Sequence, residues 1–177
     1  MADKLKPKLV IVLTLIMIIS AGVLSFVQQK TKPIIEQHAK EKQEAAILTV
    51  LPGAEKYEEV NKDGLTLYKG IDNSGSTVGY AMTNSGQGFQ SILKLMIGFD
   101  LNQGKLLKIK ILNQAETPGL GSRISEKEFQ SQFVGKDFSD SFTAKEDVDA
   151  ISGATISSQA IADVIEDAIN KLENADI

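Results

Sequence analysis

The segment Asp149-Ala150-Ile151-Ser152-Gly153-Ala154-Thr155-Ile156-Ser157-Ser158 feeds directly into a strongly amphipathic run, and its small and hydroxyl-bearing residues suit the binding of an anion. The first N–H groups of a helix lack intrahelical partners, the helix dipole gathers positive charge there, and Gly153 lets the backbone approach a ligand closely. All three favour a phosphate. Thr155 would then present its hydroxyl beside that phosphate. The residues alone leave a plainer alternative open: Ser, Thr and Gly before a helix are ordinary capping residues, worth about 1 kcal/mol and needing no ligand. The segment matches neither the P-loop nor the G-x-G-x-x-G pattern.

A second constellation, Glu116-Thr117-Pro118-Gly119-Leu120-Gly121, reads first as a turn. Pro118 fixes φ and Gly119 accepts φ > 0, so the chain reverses there between a strand and a short helix. That helix is expected over 125–133, with Ser125 as N-cap and Glu128 closing a capping box. A hydrolase using Ser152 or Thr155 as nucleophile would need a base. The only histidine, His38, lies far away in sequence, and there is no cysteine. The absence of cysteine also removes disulfides and thiolate-held metal or iron–sulfur sites, and one histidine forms no histidine cluster.

The elements that must position these residues follow from periodicity. Leu65 to Ile71, Val78 to Thr83, Ser91 to Asp100 and Lys105 to Leu112 read as strands. Asn73-Ser74-Gly75 and Asn102-Gln103-Gly104 supply turn chemistry between neighbours, which predicts antiparallel hairpins. Ala160, Ile161, Val164, Ile165, Ala168, Ile169 and Leu172 recur at helical spacing, an amphipathic helix packed on the sheet.

Leu9 to Val27 is an uncharged apolar run of about 19 residues, the length that crosses a hydrocarbon core. The unbroken continuation through Val23, Leu24, Phe26 and Val27 favours an uncleaved anchor over a cleaved signal peptide, although Ser20-Ala21-Gly22 supplies small residues. Lys4, Lys6 and Lys8 precede the run and Lys30 and Lys32 follow it, which points to a cytoplasmic N-terminus and a main domain outside. Pro33 suits the first turn of a stalk helix that Pro52-Gly53 ends. The expected domains are therefore 1–8 cytoplasmic, 9–27 transmembrane, 28–51 stalk and 52–177 extracytoplasmic.

Of 19 basic and 23 acidic residues, five basic and one acidic fall within the first 32 positions. The remainder, with 14 basic against 22 acidic side chains, repels polyphosphate backbones. There is no arginine-rich stripe, so nucleic-acid binding is excluded as a reading.

Asp149-x-x-Ser152-Gly153-Ala154-Thr155 resembles the flavinylation motif of FMN-binding domains. That resemblance implies a covalent FMN on Thr155, with Asp149, Ser152, Gly153 and Ala154 as the frame recognised by a flavin transferase. In such domains the transferase uses FAD as donor with Mg²⁺, links the FMN phosphate to the threonine oxygen and releases AMP. Glu116 to Gly121 is similar to a loop found in the G subunit of Rnf electron-transport complexes and in the C subunit of the sodium-pumping NADH:quinone reductase. The small size and single anchor look more like the Rnf protein.

The resemblance further implies that the loop backbone, including Gly119, and Leu120 pack on the flavin ring, with Glu116 and Thr117 as polar contacts. Many relatives have a histidine where this chain has Gln114. The implied fold is α+β: one transmembrane helix and a stalk, then an antiparallel-sheet FMN-binding domain closed by a C-terminal helix. The implied role is an electron relay among the other subunits of a cytoplasmic-membrane complex that moves electrons between ferredoxin and NAD⁺ and couples this to Na⁺ or H⁺ transport. A non-redox structural or assembly protein is the rival from another class.

Overall fold

The strands pair in the order in which they leave the chain. The computed structural model describes residues 7–175, and β1 (Lys56–Lys62), β2 (Leu65–Ile71), β3 (Thr77–Gln87), β4 (Ile92–Asp100) and β5 (Lys105–Asn113) form one antiparallel sheet of order β1-β2-β3-β4-β5. Local turn chemistry dictates this meander. Asp63 and Gly64 both take positive φ (50° and 82°), the backbone of a tight two-residue hairpin. The Asp72 carboxylate accepts the Ser74 and Ser76 N–H groups at 2.8 and 2.9 Å, and Asp100 does the same for Asn102 and Gln103 at 3.0 and 3.1 Å.

One face of the sheet is covered by α3 (Thr155–Asn174) and the loops before it. Leu93, Leu95, Ile97 and Phe99 of the sheet join Ile161, Ile165, Ile169 and Leu172 of the helix in one buried cluster with Phe133 and Phe142. Each large apolar side chain removed from water there contributes about 1.5–3 kcal/mol. The register of the helix on the sheet is fixed by Asn84, whose amide donates to the Val164 carbonyl at 2.8 Å and to Asp167 at 2.9 Å. Lys171 closes the group by donating to the Asn84 side-chain oxygen at 2.9 Å.

The other face receives the end of α1 (Pro7–Val50): Ala46, Ile47, Val50 and Leu51 pack against Tyr68, Ala81, Met96 and Leu112. Glycines make room for it. A Cβ on Gly70 would lie 2.8 Å from Leu51 Cδ1, and one on Gly98 would collide with the Val50 carbonyl. Lys42 donates to the Leu112 carbonyl and Gln43 to the Tyr68 hydroxyl. By its contacts the chain divides into two units, Met1–Glu41 and Lys42–Ile177. In the first, the side chains from Leu9 to Val27 are exposed, Leu24 at 74%, which an apolar helix in water would not tolerate and a bilayer would satisfy. Lys4 and Lys6 lie outside the described residues.

The α+β architecture and all four expected strands are present, with three differences. Pro33 lies inside a continuous helix rather than in the first turn of a new one, where it has no N–H to give the Gln29 carbonyl. The edge strand β1, Lys56-Tyr-Glu-Glu-Val-Asn-Lys62, escaped the sequence reading because its side chains are mostly exposed and show no apolar alternation. Ser125 caps nothing: it ends a 3₁₀ turn, Gly121–Ser125, and α2 (Lys127–Ser131) starts after Glu126 without a side-chain cap. The Ser125 carbonyl is instead taken by the Gln130 amide at 2.7 Å.

Candidate functional site

Helix α3 begins at Thr155, and the turn before it is closed without either of the hydroxyls that could have capped it. Ala154 N–H donates to the Ile151 carbonyl at 2.9 Å, and Gly153 takes φ +77°. The N-cap position, Ala154, has no side-chain cap bond. Ser158, one turn in, reaches back: its hydroxyl accepts the Ile151 N–H and donates to the Ala154 carbonyl, both at 3.0 Å. The first intrahelical bond runs from Ser158 N–H to the Ala154 carbonyl at 3.0 Å, so the N–H groups of Thr155, Ile156 and Ser157 precede it. Among the described residues no protein group hydrogen-bonds the half-buried Thr155 hydroxyl. The capping alternative is therefore not realised by Ser152 or Thr155.

The Glu116–Gly121 loop folds as the expected turn. Leu120 and Ser122 N–H groups both donate to the Thr117 carbonyl, at 3.2 and 3.1 Å, and Gly119 takes φ +74°. Glu116 lies beneath the loop, only 4% exposed. One of its oxygens accepts the Gln90 N–H, the Ser91 N–H and the Ser91 hydroxyl, each at 3.1 Å, and the other accepts the Ser157 hydroxyl at 2.7 Å. Burial pushes the pKa of this carboxyl up, but the donors from Ser157, Gln90 and Ser91 outweigh it and hold the group below the ordinary glutamate value. A charged carboxylate is thus clamped between three segments.

The two constellations meet across a cavity of about 350 Å³ lined by Phe89, Thr117, Leu120, Gly121, Gly153, Ala154, Thr155, Ile156 and Ser157. No charged side chain is in that lining. Leu120, 44% exposed, leans over the motif backbone so closely that a Cβ on Gly153 would lie 3.2 Å from its Cδ2. Asp149 and Ser152 face elsewhere. They line a second cavity, also about 350 Å³, with Arg123, Glu126, Glu128, Phe129 and Gln132. The Asp149 backbone is held there by exchange with the Gln132 side chain. Thr155, Gly153, Ala154, Thr117 and Leu120 are therefore brought together, whereas Glu116 sits below the cavity and Gly119 lines neither one. Phe89 was missed in the sequence, where an aromatic following Gly88 in a turn was its only signal; Ile156 and Ser157 belong to the hydroxyl-rich segment but were not taken as site residues.

The FMN-binding domain family matches residues 88–170, a span that holds every residue of both cavities named above. Over 173 residues the chain is 34% identical to the G subunit of an ion-translocating oxidoreductase complex from Methanosarcina acetivorans, covering 92% of each protein. The chain belongs to this family of G subunits. A second member, the G subunit of the proton-translocating ferredoxin:NAD(+) oxidoreductase complex of Clostridium ljungdahlii, is 27% identical over 90% of this chain and 88% of its own. Among solved structures, the C subunit of the Na(+)-translocating NADH-quinone reductase from Parabacteroides distasonis superposes with a TM-score of 0.57 over 75% of this chain and 91% of its own. At 19% identity that likeness shows that the two proteins share a fold.

The residues present fit an FMN. The N–H groups at the start of a 20-residue helix and the Thr155 hydroxyl, without protein partners among the described residues, suit its phosphate, and Phe89, Leu120 and Ile156 offer apolar surface for its ring.

Proposed function

We propose that this member of the G-subunit family is a membrane-anchored electron relay whose FMN is joined through a phosphodiester to Thr155. Membership of the family, together with the FMN-binding domain, makes it an electron-transfer component of an ion-translocating oxidoreductase, with the other subunits of that complex as its partners. The observation that carries the attachment is the Thr155 hydroxyl, free of protein partners among the described residues, at the first position of α3 and on an uncharged cavity.

In the attachment reaction the Thr155 oxygen forms a bond to the FMN-side phosphorus of FAD. The pyrophosphate P–O bond breaks, AMP leaves, and the hydroxyl proton is released. A flavin transferase with Mg²⁺ serves this step. The N–H groups of the first helical turn would hold the phosphate, and Leu120, Ile156 and Phe89 would shield the ring from water. FMN held there supplies one- and two-electron chemistry, which lets it connect pairwise donors to single-electron carriers. Covalent attachment keeps the cofactor from being diluted away outside the membrane.

The anchor reading joins family membership to the exposed apolar helix, and the lysines before residue 9 favour an N-terminus inside. In intact spheroplasts, protease added outside should remove the 52–177 domain; protection of that domain would reverse the orientation. The attachment is tested by co-expressing the full chain with a flavin transferase. The denatured band should fluoresce under near-ultraviolet light, and a dark band would favour the structural, non-redox reading.

A further inference from the structure

Phe89 presents an aromatic ring to water at the tip of the β3–β4 loop, 60% exposed, where covering it would be favourable. It is not alone. Leu120 and Ile156, 44% and 61% exposed, line the same uncharged cavity from two other segments, the Glu116–Gly121 loop and the first turn of α3. Three unsatisfied apolar side chains therefore converge on the opening beside Thr155. We infer that Phe89 is a stacking wall for the isoalloxazine ring and that Glu116 is the positioning residue that holds it there without touching the cofactor. This rests on the Thr155 reading and deepens it.

The loop that carries Phe89 is held at both ends. Gly88 N–H donates to the Ser91 carbonyl at 2.8 Å, and the Ser91 hydroxyl accepts the Ala115 N–H at 2.8 Å. Thr117 donates to the Gln90 side-chain oxygen at 3.0 Å. The Glu116 carboxylate then ties Gln90 and Ser91 to Ser157, two residues beyond Thr155. There is no slack around it: a Cβ on Gly88 would lie 2.6 Å from Glu116 Oε1, and one on Gly121 would lie 2.9 Å from Glu116 Cβ and 2.7 Å from the Ser157 hydroxyl. The distance between the Phe89 loop and the Thr155 helix is thus set through one carboxylate, which explains why a charge is buried beside an otherwise neutral cavity. An aromatic ring so placed offers the flat, polarisable surface on which another planar ring packs in an offset stack.

The chain contains no tryptophan, so one introduced indole acts as a contact reporter. Full-length chain is matured with the transferase, and Phe89→Trp is compared with Val134→Trp, an exposed position that lines the groove beside β5 instead. Intact mass first establishes flavin content. With equal flavin in both, Phe89→Trp should lower flavin fluorescence about fivefold or more through ring contact, while Val134→Trp matches wild type. Adding Glu116→Gln to Phe89→Trp should relieve much of that quenching at unchanged flavin content. Fluorescence of Phe89→Trp equal to that of Val134→Trp would overturn the stacking wall while leaving Thr155 attachment intact. Quenching untouched by Glu116→Gln would overturn the positioning role. If the double variant fails to fold, iodide quenching of flavin in Phe89→Ala decides the wall, since losing it must raise accessibility. A wild-type chain without added mass would sink the attachment reading itself, and this inference with it.

Discussion

The loop from Asp149 to Thr155 separates two cavities of the same volume, about 350 Å³ each, and opposite chemistry. On one side lie Thr155 and Gly153 among Phe89, Leu120 and Ile156, with no charged side chain. On the other lie Asp149 and Ser152 among Arg123, Glu126 and Glu128. Volume does not distinguish them. A phosphate would be repelled by three carboxylates on the second side and welcomed by the open N–H groups of α3 on the first. A single sequence motif thus lines two surfaces: Gly153, Ala154 and Thr155 border the uncharged cavity, and Asp149 and Ser152 border the charged one.

Removing a hydroxyl from each side tests that contrast most strongly. Thr155→Ala should abolish flavin on the chain altogether, while Ser152→Ala, three residues away, should still reach full flavin content at saturating transferase. In-gel fluorescence reads both, and equal loss in the two variants would erase the distinction between the cavities. Gly153→Val comes next. A β-branched residue at φ +77° costs about 1–3 kcal/mol, and its side chain presses on Leu120, so flavin yield should fall several-fold together with thermal stability. A yield equal to wild type would show that close backbone approach is not needed.

Much of this arrangement was legible beforehand, for local reasons. Strands β2 to β5 are announced by apolar runs between turn residues, because the sheet is covered on both faces, and α3 by its apolar spacing, because one face of it is buried. The motif turn at Pro118-Gly119 is likewise encoded in its own residues. What escaped depends on partners distant in sequence. Glu116 was expected as a polar contact to the flavin, whereas the fold buries it below the cavity against Gln90, Ser91 and Ser157. The division of Asp149 and Ser152 from Thr155 depends on the positive φ at Gly153, which points neighbouring residues to opposite sides. The Ser125 cap was displaced because the 3₁₀ turn from Gly121 already uses that segment.

Glu116 gives an effect of intermediate size that belongs to the cofactor side alone. Its folded pKa lies below the unfolded value, so between the two the unfolded chain binds more protons and stability rises with pH. The contribution is complete above the unfolded pKa and is lost as pH falls through the depressed folded one. Loss of the charged hydrogen bonds in Glu116→Gln should cost about 2 kcal/mol near neutrality, and the deficit against wild type should shrink as acidification carries the pH below the ordinary glutamate range. Urea melts across that range measure it; a constant deficit would contradict the charged clamp. The smallest effect is expected at Asp149→Asn, on the far side. It should slow attachment a few-fold in a time course with limiting transferase and leave the fluorescence of the finished flavoprotein unchanged. A spectral change would place Asp149 on the cofactor side after all.

Mass spectrometry of the mature full-length chain bears most directly on the central claim. After co-expression with the transferase, the intact protein should be heavier by one FMN less a water, and fragmentation should assign that mass to Thr155. An unmodified intact mass, or a flavin mapped to Ser152 or any other hydroxyl, would contradict it.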